Sequence, residues 1–346
     1  MHDAFPSRAT PARPLSAEGE AIAMTGGDAF IAADVGGTHA RVGQVRMGEG
    51  GRIEVLDFHQ YACAGWPSLA AILRDFAGRS GRGAAHVVVA IAGRLDGDDL
   101  VNANLPWPVS VAHTRREAGI GQLVLLNDFE AVACAMPYIE PAAMTRVCGP
   151  ARIGEGAALV LGPGTGLGAA VRLPGPPPQV LASEAGHAAL AVGSARELAV
   201  LQQLRQRWPH VDVERVLSGP GLVNAYQALC ELDARKAMLE TPAAIARAAA
   251  DGDDPSAVEA LEMFCALLGS FAGDLALTFG ADTVYLAGGI PAQIKPQLLR
   301  SAFAERFANK GVLGPMLAQV PVWLVEHGQL GLVGAAAWYH QRYLTR

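Results

Sequence analysis

At 346 residues the chain exceeds the usual size of a single core, so two domains of roughly 100 to 200 residues each are expected. Half of the residues are hydrophobic, 17% are charged, and the net charge of -6 comes without a run of Lys or Arg, which argues against a nucleic-acid partner. No apolar run reaches the ~18 residues of a spanning helix, the N-terminus lacks a signal peptide's apolar centre, and the five cysteines are scattered without C-x-x-C spacing. These features point away from a membrane, a disulfide framework or a zinc site, and toward a reduced cytoplasm. Residues 1–27 read as a disordered tail, with Met24 an equal candidate for the start.

From Phe30 the pattern is strand, tight turn, strand, strand: FIAADVGG, RVGQVRM and RIEVLDFHQY. A helix is expected from the N-cap Ser68 to about Gly78, followed by HVVVAIAG as a buried strand. A loop with Asn104 and Trp107 leads to a helix near Val109 to Ala118, to the buried strand QLVLLNDF and to an apolar helix from Glu130 to about Ile139. After Ala157 the order begins again with ALVLGPG and GAAVRL as a hairpin. Helices are then inserted at Ala195 to Trp208, Gly221 to Leu232, Pro242 to Ala250 and Pro255 to Phe279. The strand TVYLAGGI, a helix from Lys295 to Phe307, the strand PVWLVE and a helix near Leu330 to Leu344 close the chain. Two copies of a β-β-β-α-β-α plan suggest a duplicated α/β domain with a cleft that clamps ligands.

The loop LVLGPGTGLGAAV offers bare backbone N–H groups to a phosphate, with Thr165 adding a hydroxyl donor. Gly164, Gly166 and Ala169 fit a dinucleotide-binding turn, with Glu184 at the place of its ribose acid. That turn must open a helix, however, and Ala169 to Leu173 reads as a strand running into Pro174, Pro176, Pro177 and Pro178. The Walker-type loop fails as well, because the chain's lysines are Lys236, Lys295 and Lys310. The segment is therefore a β-hairpin loop. DVGGTHAR supplies a matching turn in the first half, where Gly36, Gly37 and Thr38 approach phosphates and Asp34 can hold a metal through water.

The strand LVLLN ends at Asn127 and Asp128, at the edge where α/β folds bind ligands. Asp128 is a candidate general base for phosphoryl transfer to an alcohol; capping of the following helix is the competing role. Glu184 and His187 in SEAGH, with Glu214 in ERVLSGPGL, form a second polar set suited to sugar hydroxyls. Taken alone, His187 also suits a core histidine bonded to backbone and Glu214 a surface residue. SGPGL could be only a turn with Pro220 at the first helical position. The E-x-x-H spacing is not helical here, since Gly186 and the strand-like VLAS argue against a helix.

Together DVGGTHAR, LLNDFEA, GPGTGLG, SEAGH, ERVLSGPGL and VYLAGGI, in this order, resemble the bacterial glucokinases of the hexokinase/actin-like ATPase superfamily, over nearly everything from Phe30 onward. The resemblance implies an α/β fold of duplicated actin-like/ribonuclease H-like ATPase domains with an interdomain cleft. It implies a small domain of residues 28–138 plus 329–346 and a large domain of residues 139–328 with helical insertions. The sugar would be held by Asn104, Asn127, Asp128, Glu184, His187 and Glu214, with Asp128 as the base on the 6-hydroxyl of D-glucose. Asp34, Gly36, Gly37 and Thr38 resemble the first phosphate segment, Gly164, Thr165 and Gly166 the second, and Gly288 and Gly289 the adenosine-binding turn. ATP with Mg²⁺, a cytoplasmic homodimer and a place in glycolysis are implied in the same way. Ala185 stands where many members carry glycine, and His39 where asparagine is common. The zinc-binding cysteine cluster of the related repressor and sugar-kinase group is missing. A kinase for another hexose, a non-catalytic sugar sensor on the same fold, and a donor other than ATP are the alternatives.

Overall fold

The computed structural model describes residues 29–80, 85–101 and 105–344. Packing divides the chain into two units, one ending at Ala131 and resuming at Gly331, the other from Val132 to Leu330.

The first unit opens with the antiparallel strands β1 (Phe30–Val35), β2 (His39–Met47) and β3 (Ile53–Ala62). Helix α1 (Leu69–Ser80) starts where the sequence places it, with the Ser68 hydroxyl accepting the Ala71 N–H at 3.1 Å. Strand β4 (His86–Ile91) pairs parallel with β1 and is buried on both faces, which accounts for its unbroken HVVVAI run. A short hairpin of β5 (Arg94–Asp96) and β6 (Asp99–Val101) follows, without a signal in the residue pattern. Helix α2 (Val111–Ala118) is capped by Ser110, and β7 (Gln122–Asn127) pairs parallel with β4 and runs directly into α3 (Asp128–Ala135). Ile31, Ala33 and Val35 alternate along β1 into a core shared with Leu69, Ile72, Leu73 and Phe76 of α1. The sheet order is β3-β2-β1-β4-β7.

The second unit repeats this plan after an extra strand, β8 (Met144–Cys148), that the sequence reading does not anticipate. Strands β9 (Ala158–Pro163), β10 (Leu167–Leu173) and β11 (Gln179–Ser183) form the second meander. Helices α4 (Ala195–Leu204), α5 (Gly219–Leu232), α6 (Pro242–Asp251) and α7 (Pro255–Phe279) are each capped by the residue before them: Ser194, Ser218, Thr241 and Asp254. Pro220 takes the second helical position of α5, since Gly219 opens the helix. Strand β12 (Thr283–Leu286) pairs parallel with β9. A short α8 (Gly289–Gln293) follows, and the single helix expected from Lys295 to Phe307 is broken into α9 (Lys295–Leu298) and α10 (Phe303–Ala308) where the Ser301 hydroxyl accepts the Phe303 N–H. Helix α11 (Gly314–Leu317) and β13 (Val322–Val325) complete the unit, giving the order β11-β10-β9-β12-β13-β8. Removing β8 leaves the order of the first sheet, so the duplication expected from the two glycine turns is present in the strand topology.

By length and composition helix α7 could cross a membrane, with mean hydropathy 1.5 in its most apolar 18-residue window, although Glu259, Glu262 and Asp274 interrupt any continuous apolar run. Two thirds of that apolar window is buried inside the unit, where Leu261, Phe264 and Leu268 form the core. Gly269 and Gly273 bring α10 close enough that a Cβ at either would collide with the carbonyls of Phe303 and Phe307. It is a core helix. The chain then returns to the first unit through α12 (Leu330–Tyr339), which continues as a π-turn over His340–Leu344.

Candidate active site

In the first unit β1, β4 and β7 run parallel, with Asp34 opposite Ala90 and Ala90 opposite Leu126, so their C-terminal ends share one edge. Two strand spacings of about 4.8 Å place the Asp34 backbone about 10 Å from Leu126 on β7, which ends at Asn127 and runs into Asp128 of α3. Ligands of open α/β sheets bind outside such an edge. Between β1 and β2 the turn is closed by the Gly36 N–H bond to the His39 carbonyl at 3.0 Å. The Cys63 N–H donates to the Thr38 carbonyl at 2.9 Å, bracing the loop from behind and leaving Gly36, Gly37 and Thr38 exposed.

The carboxyl of Asp34 rests on the first turn of α12, where a Cβ on Gly331 would stand 2.5 Å from its Cγ. Burial raises its pKa above the ordinary range, and Arg41, 3.5 Å from Oδ2, pulls in the opposite direction. Among the described residues no group of three or more His, Cys, Asp or Glu forms a metal cage. A single carboxylate beside a phosphate loop nonetheless suits Mg²⁺, which keeps most of its waters and takes its remaining ligands from substrate phosphates.

Asn127 Oδ1 accepts the N–H groups of Phe129 at 3.0 Å and Glu130 at 3.1 Å, so it is the main cap of α3. Asp128 Oδ1 shares the Phe129 N–H at 2.9 Å. The capping role expected for Asp128 is therefore present in part: one carboxylate oxygen accepts an N–H of α3, at the C-terminal edge of the sheet. Helix α12 lies directly against α3, and a Cβ on Gly334 would collide with the Ala131 carbonyl. The Trp338 indole N–H donates to Glu130 Oε1 at 2.8 Å. Burial raises the Glu130 pKa, with Trp338 and Arg342 acting against it. Gly331, Gly334, Glu130 and Trp338 thus support the two candidate acids, and none of them stands out in the sequence.

In the second unit the GPGTG loop joins β9 and β10 as an antiparallel hairpin, with Leu167 opposite Pro163. The Gly164 N–H bonds to the Gly166 carbonyl at 2.7 Å, which shapes the turn, and the Gly219 N–H donates to the Gly164 carbonyl at 2.8 Å. At the other end the Leu167 N–H donates to Glu214 Oε2 at 3.1 Å. Gly288, on the neighbouring strand's exit, has φ +100° and stands so close to Pro163 that a Cβ would lie 3.1 Å from its carbonyl. Only glycine meets both demands without strain. Gly289 then opens α8, so the turn resembling an adenosine site adjoins the hairpin at one sheet edge.

Glu184 precedes and His187 ends a single 3-10 turn, Ala185–His187, in which the His187 N–H donates to the Glu184 carbonyl at 3.0 Å. A Cβ on Gly186 would collide with the Leu167 carbonyl, so this turn also abuts the hairpin. Backbone bonds from Leu190 to Val211 and from Val213 to Ala188 zip the segment alongside the residues leading to Glu214. His210 Nε2 lies 3.0 Å from the His187 carbonyl, a further support the sequence does not signal. As a result His187 Nδ1 stands 3.8 Å from Glu214 Oε1. The His187 side chain is 61% exposed, which removes the core-histidine reading, and that of Glu214 is 29% exposed, which removes the free-surface reading. Asn104 lies outside the described residues; Trp107 is buried, with its indole N–H donating to the Cys63 carbonyl at 3.4 Å.

A family model described as Glucokinase matches residues 31–342. A glucokinase-like protein of Xylella fastidiosa (strain Temecula1) is 46% identical over 323 residues, covering 91% of this chain and 96% of that protein. A glucokinase of Nitrobacter hamburgensis is 38% identical over 311 residues, covering 88% and 95%. The crystal structure of a glucokinase from an Antarctic psychrotroph superposes with a TM-score of 0.80 at 33% identity, over 90% of this chain and 99% of that one. With its duplicated sheets and paired glycine hairpins, the chain belongs to the glucokinase family and has the actin-like ATPase fold of its sugar kinases.

Proposed function

We propose that the chain is an ATP-dependent glucokinase that transfers the γ-phosphoryl group of ATP to the 6-hydroxyl of D-glucose. The observation that carries this reading is the strand register Asp34–Ala90–Leu126, which sets Asp34 and the β7–α3 junction at Asn127 and Asp128 on the same C-terminal sheet edge. One acid is beside a phosphate-type turn and the other caps a helix with one oxygen, which separates a donor-side role from an acceptor-side role. Asn127, Asp128, Glu184, His187 and Glu214 are the residues assigned to the sugar. Asn104 belongs to the same set by family resemblance.

Asp128 accepts the proton of the 6-hydroxyl as the bond from that oxygen to phosphorus forms and the bond to the bridging oxygen breaks, releasing ADP. Its Phe129 N–H bond fixes the carboxylate's orientation for this step. Gly36, Gly37 and Thr38, together with Gly164, Thr165 and Gly166, offer N–H and hydroxyl donors to the phosphates, while Gly288 and Gly289 leave room for the adenosine. Asp34 would hold Mg²⁺ through water, and the ion would neutralise charge on the β and γ oxygens. The same reading makes the protein a cytoplasmic homodimer acting in glycolysis. ADP release measured with ATP and Mg²⁺ over a panel of sugars tests the substrate: glucose is expected to give the highest kcat/KM, and a clear preference for fructose, mannose or an N-acetylated amino sugar overturns it.

A further inference from the structure

Leu167 is the node at which the two ligand sets of the second unit meet. Its N–H donates to Glu214 Oε2 at 3.1 Å, and its carbonyl packs so tightly on Gly186 that a Cβ there would collide. Gly186 lies between Glu184 and His187, and Glu214 Oε1 is 3.8 Å from His187 Nδ1. On the hairpin side, a Cβ on Gly166 would stand 2.6 Å from Glu214 Oε2, so the carboxylate lies flush against the GPGTG backbone. The segment carrying Glu214 is itself fixed: its backbone carbonyl accepts the Ser218 hydroxyl at 2.6 Å, and the next residue, Gly219, donates to the Gly164 carbonyl at 2.8 Å. Glu214 therefore touches the hairpin at Gly166–Leu167 and the sugar set at His187 with the same carboxylate.

We infer that Glu214 is a positioning residue that couples the two substrates: the carboxylate that accepts a sugar hydroxyl also sets the GPGTG hairpin through Leu167. This rests on the proposed assignment of Glu184, His187 and Glu214 to sugar and of the hairpin to phosphate. A carboxylate has about four acceptor sites, so holding the Leu167 N–H leaves room for a hydroxyl. Any shift of the group that improves its bond to sugar moves its bond to the hairpin. Linkage then requires that sugar tighten nucleotide binding by the same factor as nucleotide tightens sugar binding.

The test is the ratio of dissociation constants for a non-hydrolysable ATP analogue with Mg²⁺, measured without and with saturating glucose. For the unaltered protein a tightening in the range of about 5- to 150-fold is expected. Glu214→Asp shortens the arm away from Leu167, and Gly166→Ala pushes the carboxylate off the hairpin without changing the identity of any sugar ligand; each should bring the ratio close to one. Glu184→Gln weakens sugar binding but should keep the ratio of the unaltered protein once glucose saturates. Thermal unfolding identifies any variant that fails to fold, and the two coupling variants act from opposite sides of the contact. Retention of the full ratio in Glu214→Asp or Gly166→Ala, equal loss in Glu184→Gln, or a ratio of one in the unaltered protein overturns the coupling. A protein that binds neither glucose nor the analogue overturns the kinase reading itself, whereas normal turnover with an unchanged ratio in the variants removes the coupling alone.

Discussion

The two glycine hairpins occupy the same place in the same strand order, yet they are braced by different forces. In the first unit the turn beside Asp34 takes one backbone bond from Cys63 to the Thr38 carbonyl and is otherwise backed by close packing, with Gly331 against the Asp34 carboxyl and Gly334 against the Ala131 carbonyl. In the second unit GPGTG carries no acid and is held by hydrogen bonds from a separate segment, Glu214 to Leu167 and Gly219 to Gly164. Charge pairs extend this bracing: Glu197 on α4 accepts from Arg306 on α10 at 2.5 and 3.1 Å and from the Gly193 N–H at 2.6 Å, closing the segment that follows His187. On the proposed reading, the first unit's site should then be more sensitive to changes of shape, and ligand placement in the second more sensitive to changes of charge.

The largest expected effect separates these roles. Asp128→Asn should lower kcat by ~10²- to 10⁴-fold with a smaller change in the KM for glucose, because a base acts in the transition state. Glu184→Gln should mainly raise that KM. Steady-state kinetics with both variants checks the division, and near-normal kcat in Asp128→Asn breaks it.

Next in size is the charge bracing. The carboxylate of Glu197 and the guanidinium of Arg306 are 5% and 15% exposed, so Arg306→Ala should cost about 3–5 kcal/mol by leaving a buried carboxylate unpaired. Although burial alone would raise the Glu197 pKa, Arg306 and the Gly193 N–H outweigh it and hold the carboxyl below its ordinary value of 4.5. The pair's stabilisation is therefore complete above pH 4.5 and is lost as pH falls through the folded value. Denaturant unfolding of the unaltered protein should show this acid loss, and Arg306→Ala should lack most of it.

The shape-dependent unit is probed by Gly331→Ala, which drives a methyl at Asp34. A displacement of the order of 1 Å should reduce turnover with Mg²⁺ and ATP by up to ~10²-fold while leaving thermal stability less affected. The smallest effect is expected from Trp338→Phe, which removes the indole donor to Glu130. Leaving that carboxyl short of a partner costs roughly 1–3 kcal/mol in denaturant unfolding. Retained stability there would mean that packing at Gly334 alone secures α3.

Local chemistry made much of this legible in the sequence. Glycine turns between short strands marked both hairpins, the four prolines after Leu173 excluded a dinucleotide turn, and a continuous apolar run identified β4. Asn127, Asp128, Glu184 and His187 stood out because polar groups at strand ends or beside glycine need a reason, whereas Glu214 alone suited a surface residue and was marked by the resemblance of ERVLSGPGL. What stayed hidden depends on residues far apart in the chain. Gly331 and Gly334 look like ordinary helical glycines until α12 is seen on Asp34 and α3, and Trp338 reads as core until its N–H meets Glu130. Strand β8 and the β5–β6 hairpin are short and partly exposed, without the alternation that reveals a longer strand. Ser301 broke a helix that the apolar pattern alone would continue.

The most direct test of the account is the formation of glucose 6-phosphate from glucose, ATP and Mg²⁺, followed by product and ADP release for the unaltered protein and Asp128→Asn side by side. The account predicts stoichiometric sugar phosphate and ADP from the unaltered protein, with glucose preferred over other hexoses, and a drop of ~10²-fold or more in the variant. ATP turnover that no sugar stimulates, or a variant that turns over as fast as the unaltered protein, would contradict it.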